Sequence, residues 1–204
     1  MVAALTIPNL IVNYQKKVFV TKTKYVYNVL SRAVEASIQE NGTPDTWNYG
    51  SKKQGIGFNK DELQYFVDTY FKPYLKTTKD TTAGLNDYSL LLNNGITLSF
   101  FVDGGTDSHG IFTPSVIYII SSFNGNKTGY ADISRNYSKN DIFLALGRKY
   151  NWKLSFFNWG GNTRNGIKNH GSYGCNEAVP KHKRFGCGAL IQFDGWQIKE
   201  DYPW

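Results

Sequence analysis

MVAALTIPNLIVNYQKKVFVTKTKYVYNVLSRAVEASIQENG, residues 1–42, decides how the rest of the chain is read. It opens on an apolar run, residues 1–12, and passes without a break into a polar-apolar segment. Gly42 is the first strong helix stop, and Pro44 reinforces it. One helix over this stretch is about 60 Å long, against the three or four turns usual in a globular domain. A chain of 204 residues does not bury such a helix along its whole length. The first end is therefore expected to be covered by something outside the chain.

Val18, Thr21, Tyr25, Val29, Ala33 and Ala36 follow one another at three or four residues, with Tyr14, Leu30 and Ser37 beside them. That is helical periodicity rather than strand alternation. Lys16, Lys17 and Lys24 fall away from this stripe, while Lys22 and Arg32 lie at its edge with stems long enough to reach outward. Residues 1–12 are too short to span a bilayer, which takes about 20 apolar residues. They also lack the basic leader and cleavage site of a signal peptide.

Beyond Gly42 the signals change. Asn59 suits an N-cap, Asp61 and Glu62 suit the positive end of a helix, and Leu63, Phe66, Val67, Tyr70, Phe71 and Tyr74 make an apolar face. Pro73 is expected to kink or end that helix. Residues 88–92, the turn Asn93-Asn94-Gly95, and residues 96–102 read as a β-hairpin. Residues 115–122, SVIYIISS, read as a further strand ending at Asn124-Gly125-Asn126. Asn140 is expected to cap a short helix reaching Leu146. Residues 153–159 read as a strand or extended arm, residues 158–170 as a Gly/Asn-rich loop, and 189–193 as a short apolar run. Helices grouped ahead of strands predict an α+β fold: a long N-terminal helix (1–41) laid on an antiparallel sheet, and a head over 42–204.

The composition, 41% hydrophobic and 16% aromatic, is that of a folded protein rather than a disordered one. The net charge of +7 suits contact with acidic polymers or anionic membrane, and equally suits plain solubility. Cys175 and Cys187 are spaced to close a surface loop, which reads as a disulfide formed in an oxidising compartment, with two unpaired thiols as the alternative. His170 and His182 lie near them at no recognisable zinc spacing. Asp103, Asp107 and His109 sit in VDGGTDSHG, whose spacing is not that of a calcium loop and reads as a turn. There is no G-x-S-x-G, and Gly55 and Gly57 lack the Lys-Ser/Thr of a phosphate loop. No catalytic residue, cofactor or metal is expected. Between residues 164 and 184, Arg164, Lys168, Lys181, Lys183 and Arg184 face one anion, Glu177, with Tyr173 and Phe185 close by. That grouping is a candidate patch for DNA or an anionic glycan, and otherwise a solvated face.

MVAALTIPNL, followed by NYQKK…YNVLSRAVEAS…NG, resembles the N-terminal region of type IV pilins and type II secretion pseudopilins. The ending GCGALIQFDGWQIKEDYPW is similar to the C-terminus of pilin-like proteins: a cysteine, a short apolar run, then DGW and a tail. The resemblance is specific at the two ends and loose between them. It implies an assembly helix using Val2, Leu5, Ile7, Pro8, Leu10 and Ile11. It also implies partner subunits of the same class, an inner-membrane assembly platform, and a place in the bacterial cell envelope. The family's leader, methylated Phe and nearby Glu are not in this chain, so the resemblance implies an N-terminally truncated subunit, expected to be soluble and not to polymerise as it stands. Where related sequences carry an Asp before the NG turn, this chain has Ser121-Ser122-Phe123, and no metal is expected there.

Overall fold

The computed structural model describes residues 3–49, 60–82, 88–106, 108, 112–123 and 141–204. Helix α1, Ala3–Asn41, is 39 residues long and runs through Pro8. It ends where the sequence says it must. Gly42 takes the left-handed conformation (φ +77°), and its N–H donates to the Ile38 carbonyl at 3.0 Å. The Trp47 indole N–H donates to the Gly42 carbonyl at 2.8 Å, turning the chain sharply beneath the helix. Helix α2, Lys60–Tyr70, stops before Pro73, which sits in a short 3-10 turn. Its apolar face (Leu63, Phe66, Val67 and Tyr70) is buried, and Trp47 stacks flat on Tyr70 with centroids 4.5 Å apart.

Six antiparallel strands follow in simple meander order: β1 (Thr77–Thr82), β2 (Tyr88–Leu92), β3 (Thr97–Thr106), β4 (Phe112–Ser122), β5 (Asp141–Gly147) and β6 (Leu154–Phe156). The β2–β3 hairpin turns at Asn93-Asn94-Gly95 as its composition dictates, with Gly95 at φ +80°. The chain then forms two short helices, α3 (Arg164–Asn169) and α4 (Cys187–Phe193). Cys175 and Cys187 are joined in a disulfide with Cα atoms 4.8 Å apart.

The two faces of the sheet differ. Leu90, Leu98, Phe100, Val102, Ile117, Ile119, Ile142, Leu144, Leu146 and Phe156 point inward, where α1, α2 and α4 cover them. Gly188 in α4 approaches so closely that a Cβ there would lie 2.4 Å from the Phe156 ring. The outer face carries Phe101, Tyr118, Ile120, Phe143 and Phe157, and the disulfide segment lays Tyr173 and Phe185 on them.

Three expectations are corrected, and one strand has no sequence signal. Residues 141–146 are not a helix: Asp141–Gly147 is the fully buried strand β5, paired with β4 on one side and β6 on the other. A short apolar run has no periodicity to separate strand from helix, and here its two ladder neighbours decide. Asn140, the expected cap, lies outside the described residues, as do Asn59, the 124–126 turn, Asp107 and His109. Part of the 158–170 loop is helix α3, capped by the Thr163 hydroxyl accepting from the Gly166 N–H at 3.1 Å. The polar strand β1 carries no hydrophobic alternation to announce it. The third correction concerns the face that α1 turns inward.

Candidate functional site

The buried row of α1 is Phe19, Thr23, Val26, Leu30, Ala33 and Ser37, with Val34 beside it. The polar members are satisfied locally: Thr23 Oγ1 donates to the Phe19 carbonyl at 2.8 Å, and Ser37 Oγ accepts from Asn41 Nδ2 at 3.3 Å. The stripe read from sequence, through Thr21 and Tyr25, lies one residue away, about 100° around the helix. Thr21 and Tyr25 are exposed, Tyr25 by 45%, and Val18 and Val29 are half-buried. Residues 18–20 (Val-Phe-Val) are apolar on every side, so spacing alone does not choose between the rows.

The unburied row continues upward. Ile11 (51% exposed), Tyr14 (68%), Val18, Thr21 and Tyr25 stand at steps of three and four along one side of α1. Leu10 is 71% exposed. Pro8 is also exposed; Leu5 and Ile7 fall within α1, and Val2 lies outside the described residues. Burial against the head begins at Phe19, whose ring meets Phe123 (5.4 Å) and Trp204 (5.6 Å) edge-on. Residues 8–18 therefore stand clear of the core. Among the described residues, no helix is long and apolar enough to cross a membrane.

The basic segment is divided rather than gathered. Arg164 grips Asp194 with two hydrogen bonds (2.7 and 2.9 Å) and Asp201 with two more (2.9 and 2.7 Å). Lys168 reaches Asp201 at 2.7 Å, and Lys199 reaches Asp194 at 2.8 Å. Hydrogen bonds from Arg164 and Lys168 hold the Asp201 carboxyl far below the usual carboxylate range. Burial pushes Asp194 the other way, but its bonds from Arg164 and Lys199 outweigh that and lower it too. The Arg184 guanidinium is held by the Val179 and Glu177 carbonyls at 2.8 and 3.3 Å. Lys181 and Lys183 are exposed. The counter-charges, Asp194 and Asp201, lie outside the 164–184 window, which is why the sequence reads as an unopposed cationic patch.

A model of one family matches residues 9–204. The chain belongs to DUF6613, a family of unknown function. Searches of curated proteins and of solved structures each find no match. The DUF6613 region takes in the exposed row of α1, the charge network that ties the tail, and the aromatic outer face of the sheet. Asp103, weighed from sequence as a metal ligand, spends one carboxylate oxygen on the Gly104 N–H at 2.8 Å, beside the bulge in β3.

The aromatic outer face is the feature that spacing did not reveal. Phe143, Phe185, Tyr173 and His170 form a continuous stack, with centroids 4.4, 5.2 and 6.0 Å apart and planes within 20° at each step. Phe157 and Trp159 form a second, parallel pair (6.0 Å, 20°). That pair stands at 87° to Tyr173 through Phe157 and at 72° through Trp159. The signal available in sequence was the aromatic density of 156–159 (Phe-Phe-Asn-Trp), but the partners come from segments far along the chain.

Proposed function

We propose that this DUF6613 protein is a structural subunit of the type IV pilin or type II secretion pseudopilin kind, working by packing rather than by catalysis. The observation that carries this reading is the second apolar row of α1: Ile11, Tyr14, Val18, Thr21 and Tyr25, outside the head and beside the buried row. A helix with two apolar sides has two sets of neighbours. One set is the head of its own chain; the other is the helix of another subunit. A long helix laid on an antiparallel sheet, with a disulfide near the end, supports the same reading. In this reading the subunit resides in the bacterial cell envelope, where the disulfide persists, and an inner-membrane platform adds subunits to a fibre. Pro8, which removes one helix hydrogen bond, lowers local stability where the helix must re-pack.

The alternative of a DNA or anionic-glycan module built on residues 164–184 is disfavoured. Arg164 and Lys168 are bound to carboxylates, which leaves only Lys181, Lys183 and Arg184 of the five cations for such a module to use.

The test is a photo-cross-linking residue placed at Tyr14, at Tyr25, or at the exposed head residue Lys153, in the protein expressed from its native locus. Adducts to other pilin-type subunits at Tyr14 and Tyr25, absent at Lys153, are expected. Equal adduct yields at all the positions would refute the reading.

A further inference from the structure

The two ring stacks on the outer face end together at the surface. The outermost members are Trp159, 56% exposed, and Tyr173 and His170, both half-exposed. The Trp159 indole lies nearly parallel to the Phe157 ring, and more than half of its surface is open to solvent. Tyr173 stands across it at 72° with centroids 5.8 Å apart. The result is an aromatic corner, a wall and a floor, on a buried aromatic base.

The corner is rigid. The Asn158 side-chain oxygen accepts from the Gly160 N–H at 2.9 Å, and its amide donates to the Gly161 carbonyl. The Asn158 carbonyl takes hydrogen bonds from Lys149 (2.8 Å) and the Tyr150 hydroxyl (3.2 Å). Gly160 is packed on Gly166 with no room for a Cβ, which would fall 2.0 Å from the Gly166 carbonyl oxygen. On the other side the disulfide anchors the segment that carries Phe185, two residues before Cys187, onto Phe143.

The corner also carries unused polar groups. The Tyr173 N–H donates to His170 Nδ1 at 3.3 Å, which leaves Nε2 to carry the proton of the neutral ring. Neither the Trp159 indole N–H nor the Tyr173 hydroxyl has a hydrogen-bond partner among the described residues. Exposed ring faces edged by uncommitted donors match a ligand with an apolar C–H face and a rim of hydroxyls. Near the corner Arg164 and Lys168 are balanced by Asp194 and Asp201, while Lys149 and Arg184 keep their charge against neutral carbonyls. The ring faces and donors, not the charge, define the ligand, and salt dependence separates a neutral sugar from a polyanion.

We propose that Trp159, Tyr173 and His170 form a binding site for a neutral, β-linked hexopyranose chain. One sugar ring stacks its axial C–H face on Trp159, and its hydroxyls bond Tyr173 Oη and His170 Nε2. A β-1,4-linked chain is a flat ribbon and presents such faces along its length. Preorganisation of the corner spares most of the ordering cost that a mobile loop would pay.

The experiment is isothermal titration of the chain with cellohexaose and chitohexaose, and in parallel with a heparin hexasaccharide and oligothymidylate, each at low and high salt. Saturable binding of a neutral hexasaccharide, unchanged by salt, is expected, and Trp159→Ala should weaken it about ten-fold or more. Trp159→Phe should recover part of that loss, and Tyr173→Phe should weaken binding less than Trp159→Ala. Thermal melting of Trp159→Ala at the wild-type temperature separates lost binding from lost folding. Absence of binding by both neutral sugars at about 1 mM overturns the proposal. So does equal binding by Trp159→Ala, or retention confined to heparin or DNA and abolished by salt.

Discussion

The upper and lower parts of α1 are one unbroken helix with opposite surroundings. From Phe19 to Ser37 one side is sealed by the sheet and by α2, and even its Thr and Ser are buried. From Pro8 to Val18 the same rise and rotation continue, but no residue is buried. Apolar residues continue across the boundary; Leu10 and Ile11 are as apolar as Val26 and Leu30. What changes is whether a neighbour is present. Apolar spacing reports how many sides of a helix need covering, and the fold decides which of them the chain covers itself.

That contrast is broken most directly in the lower part. Leu30→Ala removes a fully buried side chain and is expected to cost about 3–4 kcal/mol, read as a lower denaturant midpoint with an unchanged slope. The next largest effect concerns what clamps the boundary. Arg164→Ala leaves Asp194, whose side chain is buried, with only Lys199; since the guanidinium and Asp201 are part-exposed and screened, it should cost about 2 kcal/mol while freeing the 194–204 tail. Acid does the same work without a mutation. Both carboxyls ionise more readily in the folded protein than in the unfolded one. Their stabilisation is therefore complete above about pH 4 and declines as pH falls toward their lowered folded values. Arg164→Ala should flatten that acid decline, and an unchanged acid profile would mean the network carries little of it. Trp204→Ala strips one ring from Phe19, with an expected loss of about 1–2 kcal/mol. Amide exchange should then quicken first around residues 19–23. Leu10→Ala, in the upper part, is expected to change stability by less than about 0.5 kcal/mol, read in the same unfolding assay.

Much of the fold was legible because local chemistry and global packing agree there. Gly42 stops α1, Pro73 lies beyond α2, and Asn93-Asn94-Gly95 turns the hairpin. The misses share a physical cause: the deciding partner is distant in sequence. DIFLALG becomes a strand because β4 and β6 flank it, against a local resemblance to a capped helix. TTKDTT becomes a strand through its ladder with β2. Arg164 and Lys168 look unopposed until Asp194 and Asp201, 30 or more residues on, are folded back against them. At the candidate sites, the exposure of Leu10 and Ile11 was foreseeable from the helix length. The perpendicular ring stacks at Trp159 were not, since their members span Phe143 to Phe185.

The contact of Trp204 with Phe19 has a mechanical consequence. It makes the head a collar and the upper helix a cantilever clamped at that collar. Releasing the tail leaves Phe19 held by Phe123 alone of its two rings, which softens the clamp; each helical turn by which the clamp retreats lengthens the free beam by about 5 Å. The bending stiffness of a beam falls with the cube of its free length. A few charged groups around Arg164, far from the tip of α1, thus set how stiffly that tip is presented to whatever it meets.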